Sequence, residues 1–221
     1  MHNKKVTALV PMKGNSERVP NKNIRLLNGK PVCHWILEAL SRSKYIDEII
    51  INTDSDKIKK IVSDFKLVKV IDRPDYLFGD AVSIQPLIAH DIEYAQNEII
   101  LQTHSTNPLL KTETIDKAIE IYFKNIKEND ALFSVTPLQQ RFYFKNGKAV
   151  GHDPNNLIQT QLLEPIYHEN SCMYIFSRET NRKIQNRLGN NPFLFEMDYL
   201  EAADIDEWHD FLWTEFLMAR K

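Results

Sequence analysis

Three cations and a glycine crowd one short segment of the chain. In "LVPMKGNSERVPNKN" (Leu9–Asn23), the loop that carries Lys13, Arg18 and Lys22 follows directly on an apolar run, and Gly14 comes just after Met12 and Lys13. A glycine lets backbone come close to a ligand, and cations beyond the carboxyl end of a buried strand can receive phosphate oxygens. The segment is not a Walker loop, because G-x-x-x-x-G-K-[ST] is absent. On spacing alone two readings stand, a triphosphate cradle or a solvated basic loop.

Such side chains need a scaffold, and the apolar periodicity supplies one. "VTALVP" reads as a buried strand, followed by a polar loop to about Lys30 and a helix with Pro31 in its first turn. "IDEIIINTD" reads as a strand, "SDKIKKIVSDF" as a helix and "LVKVID" as a third strand. A helix over residues 83–95 and the strand "EIILQ" come next. In "ETIDKAIEIYFKNI", Ile115, Ala118, Ile119, Tyr122, Phe123 and Ile126 make one stripe, with Thr112 suited to the N-cap. "ALFSVTP" is a strand. The alternation predicts an α/β fold with a mostly parallel sheet covered by helices. After Pro137 the rhythm breaks. A hairpin turning at Asn146-Gly147 precedes the irregular "LIQTQLLEPIYHENS"; "CMYIFS" and "FLFEM" read as strands and residues 208–220 as a closing helix.

The bulk numbers fit one soluble globular domain. The chain has 221 residues, 43% of them apolar and 26% charged. A formal net charge of −2 gives no general attraction to nucleic acid or anionic membrane, so any basic site is local. No apolar run approaches the roughly 20 residues of a membrane span, and "MHNKKVTALVP" reaches a proline before a signal-peptide core could form. Two distant cysteines, Cys33 and Cys172, argue against a disulfide framework and for a reducing cytoplasm.

The opening loop resembles the signature of the acylneuraminate cytidylyltransferase (CMP-sialic acid synthetase) family, A-R-x-G-S-K-x-x-x-x-K-N. "SERVP" also resembles the S-T-R-L-P-G-K of CMP-Kdo synthetases. The likeness continues through "IDEIIINTDSDKI", "RPDYLFGD", "ILQTHSTNPLLKTETIDKAI", "IYHENSCMYIF" and "AADIDEWHDF" in the family's order. It implies a single-domain, three-layer α/β/α, Rossmann-like nucleotidyltransferase with a dimerisation and sugar-binding arm at about residues 137–170. It also implies transfer of CMP from CTP to an acidic sugar for surface glycan synthesis. Mg²⁺, a cytoplasmic homodimer, and neither nucleic-acid nor membrane partners go with it.

Residue by residue, the resemblance gives Lys13 the place of a triphosphate-binding arginine. Met12, Gly14, Arg18, Lys22 and Asn23 join it around the nucleotide, with Lys13, Lys22 and Asp206 in catalysis. Glu17 replaces a family lysine. Ser83 falls beside the nucleotide, and Asp80 either joins it or caps the next helix; Gln102, Gln161 and Asn170 fall on the substrate side. Asp204 and Asp206 match the metal-binding pair, although Asp206 is also placed to cap the last helix. Asp54 is either close to the nucleotide or a helix cap. His104 and His168 are secondary candidates for proton transfer.

The acceptor site departs from sialic-type relatives. Gln159 and Thr160 stand where those enzymes commonly carry arginine. A buried carboxylate needs a cation. Either Arg141 supplies it or the acid is a Kdo-like or modified nonulosonic acid, which predicts poor use of N-acetylneuraminate. Two rival readings are a GT-A glycosyltransferase using Asp204-Ile205-Asp206 as its D-x-D, and a non-catalytic nucleotide-sugar-binding protein.

Overall fold

The computed structural model describes residues 4–79 and 82–220. β1 (Val6–Leu9) leads through the cationic loop to a small hairpin, β2 (Leu26–Leu27) and β3 (Lys30–Pro31). Then come α1 (Val32–Ser41), β4 (Ile46–Thr53), α2 (Asp56–Val62), β5 (Val68–Asp72), α3 (Ile84–Asp91), β6 (Ile99–Gln102), α4 (Thr112–Asn125) and β7 (Ala131–Leu138). A second hairpin, β8 (Phe142–Tyr143) and β9 (Ala149–Val150), precedes β10 (Ile166–Ser177), α5 (Arg178–Ile184), β11 (Pro192–Glu196) and α6 (Trp208–Met218).

The main sheet has the order β11-β7-β10-β6-β1-β4-β5. Its neighbours pair in parallel except β10, which runs antiparallel to both β6 and β7. Successive strand residues point to opposite faces, and the core divides accordingly. Ala8, Ile49, Ile51, Leu101 and Ile175 pack with the apolar sides of α1, α2 and α4. Leu9, Ile50, Ile100, Tyr174 and Phe176 pack on the other face with Ile88 of α3. The result is three layers, α/β/α. From β1 the chain builds outward to β4 and β5, then returns to lay β6 on the other side. The order therefore reverses between β1 and β6, and in open α/β sheets the crevice at such a reversal is where ligands bind.

Several local expectations need correction. The helix expected over residues 83–95 is α-helical only to Asp91 and closes with a 3₁₀ turn at Ile92–Tyr94. Thr112 does not cap α4; Lys111 holds that position, and the Thr112 hydroxyl donates to the Ala39 carbonyl at 2.9 Å. Ile126 lies beyond α4 and is exposed, outside the buried stripe. "IYHENS" is not irregular but the first half of β10, where Ile166–Glu169 pair with β7 before a bulge. Helix α5 interrupts the segment between β10 and β11, and α6 ends at Met218. The Asn146-Gly147 hairpin forms as expected, with Gly147 at φ 83°. Cys33 and Cys172 are buried free thiols.

Ile119 lies fully buried where α4 meets the sheet. Replacing it with Ala removes apolar contacts and leaves a cavity, so Ile119→Ala is expected to cost roughly 2–5 kcal/mol, read as a lowered urea midpoint with an unchanged m-value.

Candidate active site

The cationic loop leaves β1 and is clamped at two points. The Gly14 N–H donates to Asp54 Oδ1 at 2.6 Å. A Cβ at Gly14 would lie 2.7 Å from Ser55 Cβ, so only glycine fits this approach without displacement. Asp54 is thus not the cap of α2. Ser55 caps α2, accepting from Ile58 N, and Asp54 holds the loop. At the second clamp, buried Asn23 donates from Nδ2 to the Lys13 carbonyl at 2.9 Å and accepts from Ser105 Oγ at 2.5 Å. Ser105 belongs to the segment following β6, so this amide spans the reversal point. Its role here is to position the loop.

The late acidic segment closes over the loop. Ile205 is fully buried with Val19, Leu27 and Phe211. Its carbonyl accepts from Lys22 Nζ at 2.5 Å. Asp206 Oδ1 lies 3.0 Å from Arg18 Nη2 and 3.5 Å from Lys22 Nζ. Asp206 does not cap α6. Glu207 does, in a capping box with Asp210, and Asp210 Oδ2 also accepts from the Asp206 N–H at 3.1 Å. The Asp204 carboxyl is pushed upward by burial and, less strongly, by neighbouring Asp206, against a hydrogen bond from Thr106. Its Oδ1 is buried without a hydrogen-bond partner. A buried carboxylate oxygen left this way is costly unless a cation or donor meets it.

These groups line a cleft of about 350 Å³ that reaches Met12, Lys13, Lys22, His104, Arg187 and Asp206. Two cavities adjoin it. One, of about 170 Å³, shares Lys13 and is bounded by Arg73 and Ser83. The other, of about 450 Å³, shares Ser171, Asp204 and Asp206 and extends past Asn170 and His168 to Trp213. Lys13 stands at one junction and the two aspartates at the other.

The sequence-derived residues separate clearly against this geometry. Met12, Lys13, Arg18, Lys22, Asn23, Asp204 and Asp206 converge on the central cleft. Ser83 borders the smaller cavity and Asn170 the larger. Asn170 is buried, accepting from Ser134 Oγ at 2.6 Å and donating to Thr136 Oγ1 at 3.0 Å. It anchors the β10 bulge, where Ser171 takes φ 60°. Gln102 is fully buried, so it meets the cleft only through what it holds. Arg141 and Gln161 line none of these three cavities; Arg141 donates to the Ile158 carbonyl and Gln161 to the Gln159 side chain. Asp80 lies outside the described residues.

Two arginines were not singled out from the sequence. Arg73, in the "RP" pair after β5, donates to Asn52 Oδ1 at 2.8 Å and to the Asn52 carbonyl at 3.1 Å. Arg187 follows the unanticipated α5, and no local pattern marks it.

A cationic cleft at the reversal point of a three-layer α/β sheet, with a carboxylate pair beside it, defines a protein built to handle phosphate-bearing nucleotides. The family model described as Cytidylyltransferase matches residues 7–212, and the chain belongs to that nucleotidyltransferase family. It is 30% identical over 220 residues to post-translational flagellin modification protein B of Campylobacter coli, covering 95% of this chain and 93% of that one. It is 27% identical to the CMP-N,N'-diacetyllegionaminic acid synthase of Campylobacter jejuni, with coverage of 95% and 93%. Among solved structures, a CMP:2-keto-3-deoxy-manno-octonic acid synthetase complexed with CTP superposes with TM-score 0.72 at 14% identity, covering 98% of this chain and 99% of that one, a likeness of fold. Among the described residues no helix is long and apolar enough to cross a membrane.

His104 sits within this charge pattern. Burial first, then positive Arg187 and Lys22, push its imidazole down to about 4 from 6.5, against the pull of Asp206. It is neutral at pH 7. The unfolded chain binds its proton more readily, so the neutral fold's advantage is present above pH 6.5 and is lost as pH falls through about 4. His104→Asn is expected to flatten the fall in stability across that window, measured as urea midpoints at several pH values.

Proposed function

We propose that this protein transfers CMP from CTP to the anomeric hydroxyl of an acidic sugar, releasing pyrophosphate, in the synthesis of surface glycans. The observation that carries the reading is the convergence of Lys13, Lys22, Asp204 and Asp206 on one cleft at the reversal point, in a chain of the cytidylyltransferase family. The sugar hydroxyl oxygen attacks the α-phosphorus as the bond to pyrophosphate breaks, so nucleophile and phosphate must be held in line. Lys13, Lys22 and Arg18 face the charge that collects on the leaving pyrophosphate. Ser83 borders the nucleotide side, and Asn170 shapes the sugar side.

Asp204 and Asp206 suit a hard divalent cation. Asp204 offers a buried oxygen without a hydrogen-bond partner, and both side chains line the same cleft. Among the described residues no group of three or more His, Cys, Asp or Glu could hold a metal. Two carboxylates suit Mg²⁺, which usually keeps waters and shares substrate phosphates. When bound there, Mg²⁺ neutralises charge on the phosphate oxygens. The protein acts as a cytoplasmic homodimer in which the arm at about residues 137–170 reaches the partner's sugar cavity. That arrangement gives Arg141 and Gln161, which line none of the three cavities of their own chain, a place at the substrate. The replacement of the sialic-type arginines by Gln159 and Thr160 argues for a modified nonulosonic or Kdo-like acid over N-acetylneuraminate, and the legionaminic acid relative is compatible with the former.

Pyrophosphate release with CTP, Mg²⁺ and a panel of acidic sugars tests the reading. The expected result is turnover with CTP and at least one ulosonic or nonulosonic acid. Release of a nucleoside diphosphate when a nucleotide-sugar donor replaces CTP would identify a GT-A glycosyltransferase, and no turnover in either assay would favour a binding protein. Asp204→Asn/Asp206→Asn keeps side-chain size and is expected to abolish turnover while the thermal midpoint stays high; near-normal turnover would remove the pair from the chemistry.

Lys13→Ala is expected to slow turnover by roughly 10²-fold or more, as loss of a charge contact at the transition state does. Lys13→Arg should retain activity. An unaffected Lys13→Ala enzyme would assign the role to Arg18 or Lys22.

A further inference from the structure

A further cation of the central cleft has no part in the steps above. The side chain of Arg187 is only 15% exposed. Its guanidinium lies flat on the ring of Tyr174, Cζ 3.5 Å from the centroid. Nη1 donates to Gln102 Oε1 at 2.6 Å. Gln102 cannot turn away, because its Nε2 donates to the Thr103 carbonyl at 3.0 Å and lies 3.3 Å from His104 Nε2. The fork is therefore fixed on one face and one edge before any ligand arrives.

The charge on this fork is poorly met. The nearest carboxylate is Glu169, whose Oε1 is 3.9 Å from Nη2, outside hydrogen-bond distance. That same oxygen accepts from the Tyr174 hydroxyl. His104 is held neutral, in part by Arg187 itself. A largely enclosed guanidinium lining a cleft can take an anion, and its planar fork matches a carboxylate in two-point contact.

Position decides which anion. Lys13, at the border with the Ser83 cavity, belongs to the loop that leaves β1. Arg187 instead packs on Tyr174 of β10 and Gln102 of β6, and lines the central cleft together with Ser171, which is shared with the cavity toward Asn170. We propose that Arg187 receives the carboxylate of the acidic sugar and sets the enzyme's preference for acids over neutral sugars. The proposal rests on the CMP-transfer reading above. It supplies the cation that Gln159 and Thr160 lack, without calling on Arg141.

Arg187→Met keeps the packing stem and removes the charge; Arg187→Lys keeps the charge and removes the fork. Thermal midpoints confirm folding of each. Calorimetric CTP affinity with Mg²⁺ is expected to stay within about threefold of wild type, because the triphosphate cations are untouched. For the acidic sugar, kcat/KM is expected to fall by about 100-fold or more in Arg187→Met, mainly through KM, with Arg187→Lys between. The decisive arm compares the acid with its carboxamide analogue. Wild type is expected to prefer the acid by about 100-fold or more, and Arg187→Met to lose that preference. Should Arg187→Met keep the preference, or lose CTP affinity as steeply as acid affinity, the assignment of Arg187 is overturned while CMP transfer stands. Should wild type release pyrophosphate with no acid, both fall together.

Discussion

One buried amide joins the two halves of the site. Asn23 takes the hydroxyl of Ser105 on one side and gives its N–H to the Lys13 carbonyl on the other. Those partners leave β1 and β6, the strands between which the sheet order reverses. Everything the cleft does requires these two exits to keep a fixed spacing. Gly14 and Asp54 then set the height of the loop over α2. Loss of the Asn23 amide would leave buried polar partners unpaired on both sides, so the loop position is strongly determined.

The electrostatics of the cleft balance within a small volume. Asp206 is shared by Arg18 and Lys22, and it raises Arg18 further above its usual range. Arg18 and Asp206 are both about half exposed, so that pair adds little stability of its own. Lys22 is different, with only 11% of its side chain exposed and its ammonium on the Ile205 carbonyl. The exposed cation can move toward a ligand at small cost, while the buried one marks a fixed point.

Much of this arrangement was legible in the sequence because it depends on short spacings. Alternating strands and the 3.6-residue stripes revealed the layered sheet, since each is a local consequence of burying one face. Lys13 and Lys22 stood out because they crowd one loop after a strand, and Asp204 and Asp206 because "AADIDEWHDF" resembles a motif of the family, although the two groups meet only across more than 180 positions. Arg187 did not, because it acquires meaning only from Gln102, 85 positions away, and from the ring of Tyr174. The long β10 was half missed for a related reason. Its polar first half, "YHEN", has no apolar alternation, and its pairing comes from β7 rather than from local propensity. Asp206 looked like a cap because an acidic residue precedes a helix there; the true cap lies one residue on.

The burial of Ile205 has a consequence for how the protein is made. β1 has both its sheet neighbours once the chain has reached Gln102. Asp204 and Asp206 are still about a hundred residues from being synthesised. At roughly 5–20 residues per second, a nascent chain spends several seconds with Arg18 and Lys22 made and Asp206 still missing. Val19 and Leu27 stay uncovered for the same interval, until Ile205 and Phe211 arrive to close over them. The growing polypeptide therefore passes through a stage at which this loop lacks Asp206 and its apolar base lacks the cover that the last fifth of the chain provides.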